Sequence, residues 1–325
     1  MTNKQLVSLY SGMGGSTLGF LQNGYEVHKA YDNDLEVHKT WEANAHLGLV
    51  NHFLTDLTHE EYKDAVHVDT LIASPMCSTS SPINPKAKEK SGDAMAALSI
   101  IRAVEAYTPD RFVLDSINQY PTICRESWSI LLNGLTNNGY FFDLWRLNAK
   151  DYGLPQYRKR LFLVARKGSL TGWRIPQKDA QGLGWYKSIE DLVPSLSTFE
   201  LNTSKSNRID IKIKEAETKN EPSPWYLLAH FGAQSSWRPR PVWDVTPTIK
   251  ALKKSRGGLG QLILVNRKNL TVGYRLTPQA YARFQGIPRE HILPTEPGYV
   301  AAYQIGNAVP TPLMSEIAKA IDNLL

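Results

Sequence analysis

Cys77, one of only two cysteines in the chain, lies in the stretch DTLIASPMCSTSS at residues 69–81. A thiol suits covalent chemistry because its thiolate is strongly nucleophilic near neutral pH once its pKa falls. Leu71, Ile72 and Ala73 read as a short buried strand. Ser74-Pro75 ends it, since proline has no N–H for a ladder. The thiol therefore sits on a loop at a strand end, where α/β proteins place their chemistry. A lone cysteine is more often a small buried hydrophobe, so the loop by itself does not decide.

Four further groups carry polar residues at informative spacing. Gly12, Gly14 and Gly15 in YSGMGGS mark a strand-to-helix turn that a ligand can approach closely. Asp32 ends the next strand, about 20 residues on, where nucleoside folds hold ribose hydroxyls. A tight turn with a helix-capping aspartate reads equally from these residues. The phosphate-cradling GxGxxG spacing is absent, so a phosphate-free cofactor fits at least as well. Asp56 follows a short strand and is expected to face the same pocket. Asp115 follows the strand RFVL. Gln156, Arg158 and Arg160 alternate into an apolar run, and on a strand they share one face. That face either meets a partner or lies on an edge open to water. Gln234, Arg238 and Arg240 sit among tryptophans, and such side chains read base edges and phosphates.

The elements that must position these groups alternate. QLVSLY, YEVHKAY, LIA, RFVL and YFFDLWRLNA read as strands. Helices are expected after the glycines with Ser16 as cap, over 35–46, 94–107 and 127–135. Thr277 and Pro278 open another helix. A Gly-Asn turn at 306–307 is expected to open the last one. Residues 81–93 read as a long loop. From 169 to 245 the pattern turns irregular, rich in Trp, Pro, Ser and Asn, and 204–223 is charged. This gives an α/β fold with a catalytic and cofactor-binding domain over 1–168, completed by 304–325. A second domain with connecting segments spans 169–303.

Composition narrows the class. The chain has 325 residues, 42% hydrophobic, enough for a real core. Two cysteines make neither a disulfide framework nor a Cys-rich zinc site, and no metal is expected. A signal peptide and a membrane-length apolar run are not seen, so a cytoplasmic protein is expected. Charge is uneven. Residues 1–150 hold 12 Lys+Arg and 17 Asp+Glu, net −5, and residues 151–325 hold 25 and 14, net +11. A basic half beside an acidic half points to a polyanion.

Taken together and in order, the motifs resemble the DNA cytosine-5 methyltransferase family along nearly the whole chain. LYSGMGG (9–15), SPMC (74–77), LDSI (114–117), QYRKR (156–160), RLTPQAYARFQGIP (275–288) and QIGNAVP (304–310) carry the resemblance. Two departures stand out. The family's Pro-Pro-Cys is Pro75-Met76-Cys77, and its Glu-Asn-Val is Asp115-Ser116-Ile117. The resemblance implies a Rossmann-like S-adenosylmethionine-dependent methyltransferase sheet with a smaller, irregular target-recognition domain. It implies that Tyr10, Ser11, Gly12, Met13, Gly14, Asp32, Asn33, Asp56, Leu57, Pro75 and Asn307 hold S-adenosylmethionine. It implies Cys77 as nucleophile on cytosine C6, Asp115 at N3 and the exocyclic amine, and Arg158 and Arg160 favouring the thiolate and binding the base O2. Gln156, Gln234, Arg238 and Arg240 are implied as DNA contacts. The cytosine must leave the duplex. The implied partner is double-stranded DNA, met as a monomer, with a cognate restriction endonuclease acting separately. A DNA binder with little activity and an RNA cytosine methyltransferase are the alternatives.

Overall fold

The computed structural model describes residues 4–75, 91–178, 182–229, 238–251, 262–295 and 298–322. In chain order the elements are β1 (Lys4–Leu9), α1 (Gly15–Leu21), β2 (Tyr25–Asp32), α2 (Leu35–Ala43), β3 (His52–Leu54), β4 (Thr70–Ala73), α3 (Ser91–Tyr107) and β5 (Arg111–Ser116). Then come α4 (Tyr120–Ile123), α5 (Arg125–Asn137), β6 (Tyr140–Asn148), β7 (Lys159–Lys167), α6 (Trp185–Ile189), β8 (Thr198–Glu200) and α7 (Thr203–Glu217). The chain closes with β9 (Trp225–Ala229), β10 (Arg240–Pro241), β11 (Leu262–Asn266), β12 (Asn269–Arg275), α8 (Pro278–Phe284), α9 (Gly298–Asn307) and α10 (Thr311–Asp322). They group into two compact units. One comprises residues 1–148, 159–178 and 308–325, the other 149–158 and 179–307.

The first unit is a seven-stranded sheet in the order β3-β2-β1-β4-β5-β7-β6. β3, β2, β1, β4 and β5 run parallel, and β7 pairs antiparallel with both β5 and β6. Parallel strands are covered on both faces, so they read as continuous apolar runs. All four residues of β4 are buried. Val7, Leu9, Leu71, Phe112 and Leu114 share one core with Ala97, Ile100 and Val104 of α3 and Leu131 and Leu135 of α5. Val27 and Ala30 share another with Leu18 of α1 and Val37 and Trp41 of α2.

α1 begins differently from the expectation. Its N-cap is Gly14, at φ +90°, with no side-chain cap bond, so Ser16 does not cap it. Gly14 is required there. Its backbone is left-handed, and a Cβ would lie 2.6 Å from Leu49 Cδ1. α2 is capped by Asp34, which accepts from Glu36 N at 2.9 Å.

The second unit corrects the expectation of irregular structure. It holds a five-stranded antiparallel sheet, β10-β9-β11-β12-β8. The charged stretch 204–223 contains α7, most of whose residues are exposed, while Ile209 and Ile213 pack with Tyr226, Leu228 and Val265. Thr277 caps α8 as expected, accepting from Ala280 N. The Gly-Asn pair at 306–307 is not the opening of the last helix. It ends α9, and α10 starts at Thr311. No helix among the described residues is long and apolar enough to cross a membrane.

Candidate active site

The strand order reverses between β1 and β4, since β2 and β3 lie on one side of β1 and β5 on the other of β4. In open α/β sheets the crevice beyond the carboxyl ends at such a reversal takes the ligand. Three expected groups arrive there, one after another strand. Tyr10–Gly14 follow β1, Ser74 and Pro75 follow β4, and Asp115 lies in the last turn of β5. Ser74 N donates to Leu9 O at 3.1 Å, which continues the β1–β4 ladder up to Pro75. Pro75 is buried. Met76 and Cys77 lie outside the described residues.

The glycine loop is held from three sides. Gly12 N donates to Asp32 Oδ2 at 2.9 Å, and Asp34 N to Asp32 Oδ1 at 3.1 Å. Burial raises the Asp32 carboxyl above its ordinary pKa, and these N–H groups work against that shift. Trp41 Nε1 donates to Gly12 O at 2.8 Å. Ser11 Oγ lies 3.1 Å from His52 Nε2. Gly12 stands at φ +51° with no atom of the described residues within 4 Å of where a Cβ would point, so those residues leave that side of the loop open to a ligand. Tyr10 also has positive φ, 53°, and its hydroxyl meets Ser99 Oγ at 2.7 Å. Met13 is buried and Asn33 exposed. Asp56 is exposed. Thr58 donates to its carboxylate through N at 3.0 Å and Oγ1 at 2.8 Å, which lowers its pKa. Leu57 beside it is buried. Carboxylates after β2 and β3, beside an open glycine, suit ribose hydroxyls and an amine, all of them donors. The residues fit a nucleoside cofactor without phosphates. Trp41, His52, Ser99 and Arg102 escape a motif reading, because each sits singly in an otherwise ordinary helix or strand.

Asp115 pairs with Phe162 across β5 and β7, and Leu114 with Ala73 across β5 and β4. Its side chain is only 7% exposed. Arg160, in β7, brings Nε to 3.7 Å from Asp115 Oδ1, an ion pair too long for a hydrogen bond. Arg160 Nε has no hydrogen-bond partner among the described residues. The pair therefore keeps a donor in reserve next to a buried carboxylate.

Gln156 and Arg158 belong to the second unit, and their placement is a correction. β7 begins at Lys159, so the three alternating residues do not share one strand face. Gln156 is fully buried and forms a bridge with Thr246. Its amide donates to Phe284 O at 3.1 Å and Gln285 Oε1 at 3.0 Å, and its Oε1 accepts from Ile249 N at 3.3 Å. A DNA-contacting surface role does not match that burial. Arg158, 2% exposed, donates to Ile249 O and to Gly306 O, each at 3.0 Å. Both side chains satisfy buried carbonyls, as buried polar groups must. Asn307 ends α9 and is half-buried. Arg240 turns inward, donating to Val245 O at 2.8 Å and facing Asp244 at 3.3 Å. Arg238 is exposed. It lines a groove of about 690 Å³ with Lys212, Lys219 and the half-exposed Trp243. Gln234 lies outside the described residues. Among the described residues no three His, Cys, Asp or Glu side chains gather as a metal site.

Comparison with known proteins agrees in sequence and fold. The chain is 27% identical to the Type II methyltransferase M.Bsp6I of Bacillus sp. over 98% of each chain. It is 26% identical to the Type II methyltransferase M.MthTI of Methanothermobacter thermautotrophicus over 98% of this chain and 97% of that one. The crystal structure of the S. pombe Dnmt2 methyltransferase shares the fold at a TM-score of 0.68 and 15% identity, covering 98% of both chains. The first unit is thus the Rossmann-like sheet of the S-adenosylmethionine-dependent methyltransferases. The profile of the C-5 cytosine-specific DNA methylases matches residues 4–323. A match of that extent, with full-length relatives, makes this chain a member of the C-5 cytosine-specific DNA methylase family and a DNA cytosine-5 methyltransferase.

Proposed function

We propose that the chain methylates C5 of a flipped-out cytosine within a specific double-stranded DNA sequence, through a covalent Cys77–C6 adduct. The observation that carries this reading is the convergence at the β1/β4 reversal of the glycine loop, the strand leading to Pro75, and the Asp115–Arg160 pair. Tyr10, Ser11, Gly12, Met13 and Gly14 line one side of the cofactor pocket, with Asp32, Asn33, Asp56 and Leu57 beyond them and Pro75 and Asn307 as further contacts. S-adenosylmethionine, the family's usual methyl donor, supplies an electrophilic methyl on a sulfonium.

Cytosine C5 is a poor nucleophile until a thiolate adds to C6. Cys77 attacks C6, and C5 becomes enamine-like and takes the methyl. Asp115 accepts a hydrogen bond from the exocyclic amine, and a proton shared between its carboxyl and N3 meets the negative charge that builds on N3 as Cys77 adds, while Arg160 steadies Asp115 from β7. Loss of the C5 proton to a base then lets Cys77 leave by β-elimination. Arg158 holds Ile249 O and Gly306 O within its own unit. Exposed Arg238, with Gln234, contacts DNA, whereas inward-facing Arg240 and buried Gln156 act by holding the backbone. The relatives' Type II names support a cognate endonuclease acting separately at the same sequence. We read the working form as a cytoplasmic monomer on DNA. The family's DNA substrate leaves the RNA and inactive-binder alternatives without support.

The test is covalent trapping. Wild-type protein should form a denaturation-resistant complex with 5-fluorocytosine DNA of the recognised sequence and transfer tritiated methyl. Cys77→Ala should do neither. Methyl transfer surviving in Cys77→Ala would sink the reading.

A further inference from the structure

We propose that Ser99 and Arg102, one turn apart on α3, are positioning residues that set two walls of the cofactor pocket from a single helix. This rests on the reading that Tyr10–Gly14, Asp32 and Asp56 hold S-adenosylmethionine. α3 buries Ala97, Ile100, Ile101, Ala103 and Val104, as a core helix should. Among these apolar residues stand the buried Ser99 and the half-buried Arg102. Residues three apart project from the same helix face, so one rigid element carries both.

Ser99 is fully buried. Its hydroxyl donates to Ala96 O at 2.8 Å, so it meets Tyr10 as an acceptor, and the Tyr10 hydroxyl is the donor at 2.7 Å. That bond fixes a residue held at φ +53°, a conformation costly for a non-glycine residue. Tyr10 is the first residue of the glycine loop. Arg102 Nη2 donates to Thr58 O at 2.7 Å and Leu57 O at 3.3 Å. Thr58 is the residue whose N and Oγ1 hold the Asp56 carboxylate. The guanidinium therefore pins the turn that aims Asp56. A charge-assisted bond to a carbonyl is roughly twice as strong as a neutral one. Other ties of this segment among the described residues are the Thr55 N bond to Asp32 O at 3.0 Å and the core packing of Leu57.

A merely structural brace would lower stability without selecting among kinetic constants. A positioning pair changes cofactor affinity while leaving the chemical step. The test measures binding of S-adenosylhomocysteine to the full chain by titration calorimetry. It also measures the single-turnover methylation rate at saturating S-adenosylmethionine. Arg102→Ala should weaken binding about tenfold, with the saturated rate within about twofold of wild type. Arg102→Lys, which keeps one donor, should recover part of the affinity. Ser99→Ala should weaken binding about threefold. Asp32→Asn is the control for the pocket itself. If Asp32→Asn weakens binding and neither Arg102→Ala nor Ser99→Ala does, the positioning role is overturned and the pocket stands. If none of the three weakens binding, both are overturned. A loss confined to the saturated rate also overturns it. Should Arg102→Ala fail to fold, Arg102→Lys and Ser99→Ala carry the same comparison.

Discussion

His52 stands between two polar partners beneath the glycine loop. Its Nε2 meets Ser11 Oγ at 3.1 Å and its Nδ1 meets His38 Nδ1 at 2.9 Å. Its ring lies 4.9 Å from that of Trp41, the residue that holds Gly12 O. Two imidazole nitrogens facing each other share one proton, so the ring cannot charge freely. Burial first, then the neighbouring His38, pushes His52 down to about 4. A base with a depressed folded pKa stabilises the fold above its unfolded value of 6.5, and that contribution is lost as pH falls toward 4. Asp32, raised by burial, contributes in the opposite sense, so the slope of a variant is the informative quantity. Thermal melts at pH 7.5 and pH 5 should show that His52→Gln loses less stability on acidification than wild type. Equal losses would refute the assignment. Nothing in sequence marks His52, because its two partners come from positions 11 and 38. Gln156 and Arg158 show the opposite failure. Their alternation with Arg160 is visible, but both precede β7, so strand periodicity does not govern them, and both side chains turn to buried carbonyls instead.

Helix packing sets what each glycine can bear. In α1, a Cβ at Gly19 would lie 2.6 Å from Met314 Cβ and 2.7 Å from Thr311 O of α10. In α3, a Cβ at Gly92 would meet nothing among the described residues within 4 Å. Alanine gains up to about 1 kcal/mol over glycine in a helix, less near the ends. At Gly92 that gain is unopposed, and Gly92→Ala should raise stability by a few tenths of a kcal/mol up to about 1. At Gly19 it meets overpacking that costs about 1–3 kcal/mol. Gly19→Ala should therefore lower the denaturant midpoint while Gly92→Ala raises it, and a raised midpoint for both would show that α10 yields. The same scale explains what was legible. β1, β4 and β5 read directly because strands buried on both faces carry near-continuous apolar runs, whereas β2 carries Glu26, His28 and Lys29 between its buried residues. The second sheet did not, because β9 pairs with β11 some 35 residues on and β8 with β12 some 70 on. Neither has a short turn to announce it. α7 was hidden by its lysines and glutamates, although Ile209 and Ile213 keep a helical interval.

At the scale of the molecule, charge separates two kinds of binding. The acidic 1–150 segment carries the carboxylates Asp32 and Asp56 and has no phosphate-cradling glycine spacing, and in the proposed function it meets a nucleoside by hydrogen bonds. The basic 151–325 segment carries Arg238 and the lysines of α7, and it meets a polyanion. These obey different salt laws. Each phosphate neutralised releases condensed counterions, and log K for duplex DNA falls with a slope of about 0.9 per contact against log salt. For about five contacts, raising salt from about 50 to 200 mM weakens DNA binding several hundredfold. Hydrogen bonds to a nucleoside release no such counterions. S-adenosylhomocysteine affinity should then change by less than about twofold over the same range, while DNA affinity falls steeply. Anisotropy with duplex DNA and calorimetry with S-adenosylhomocysteine, run across one salt series, measure both. Reversing Arg238 and Lys219 to glutamate should flatten the DNA slope by about two contacts and leave the cofactor curve where it was. A DNA curve as flat as the cofactor curve would mean that the excess charge of the second half is surface and not interface.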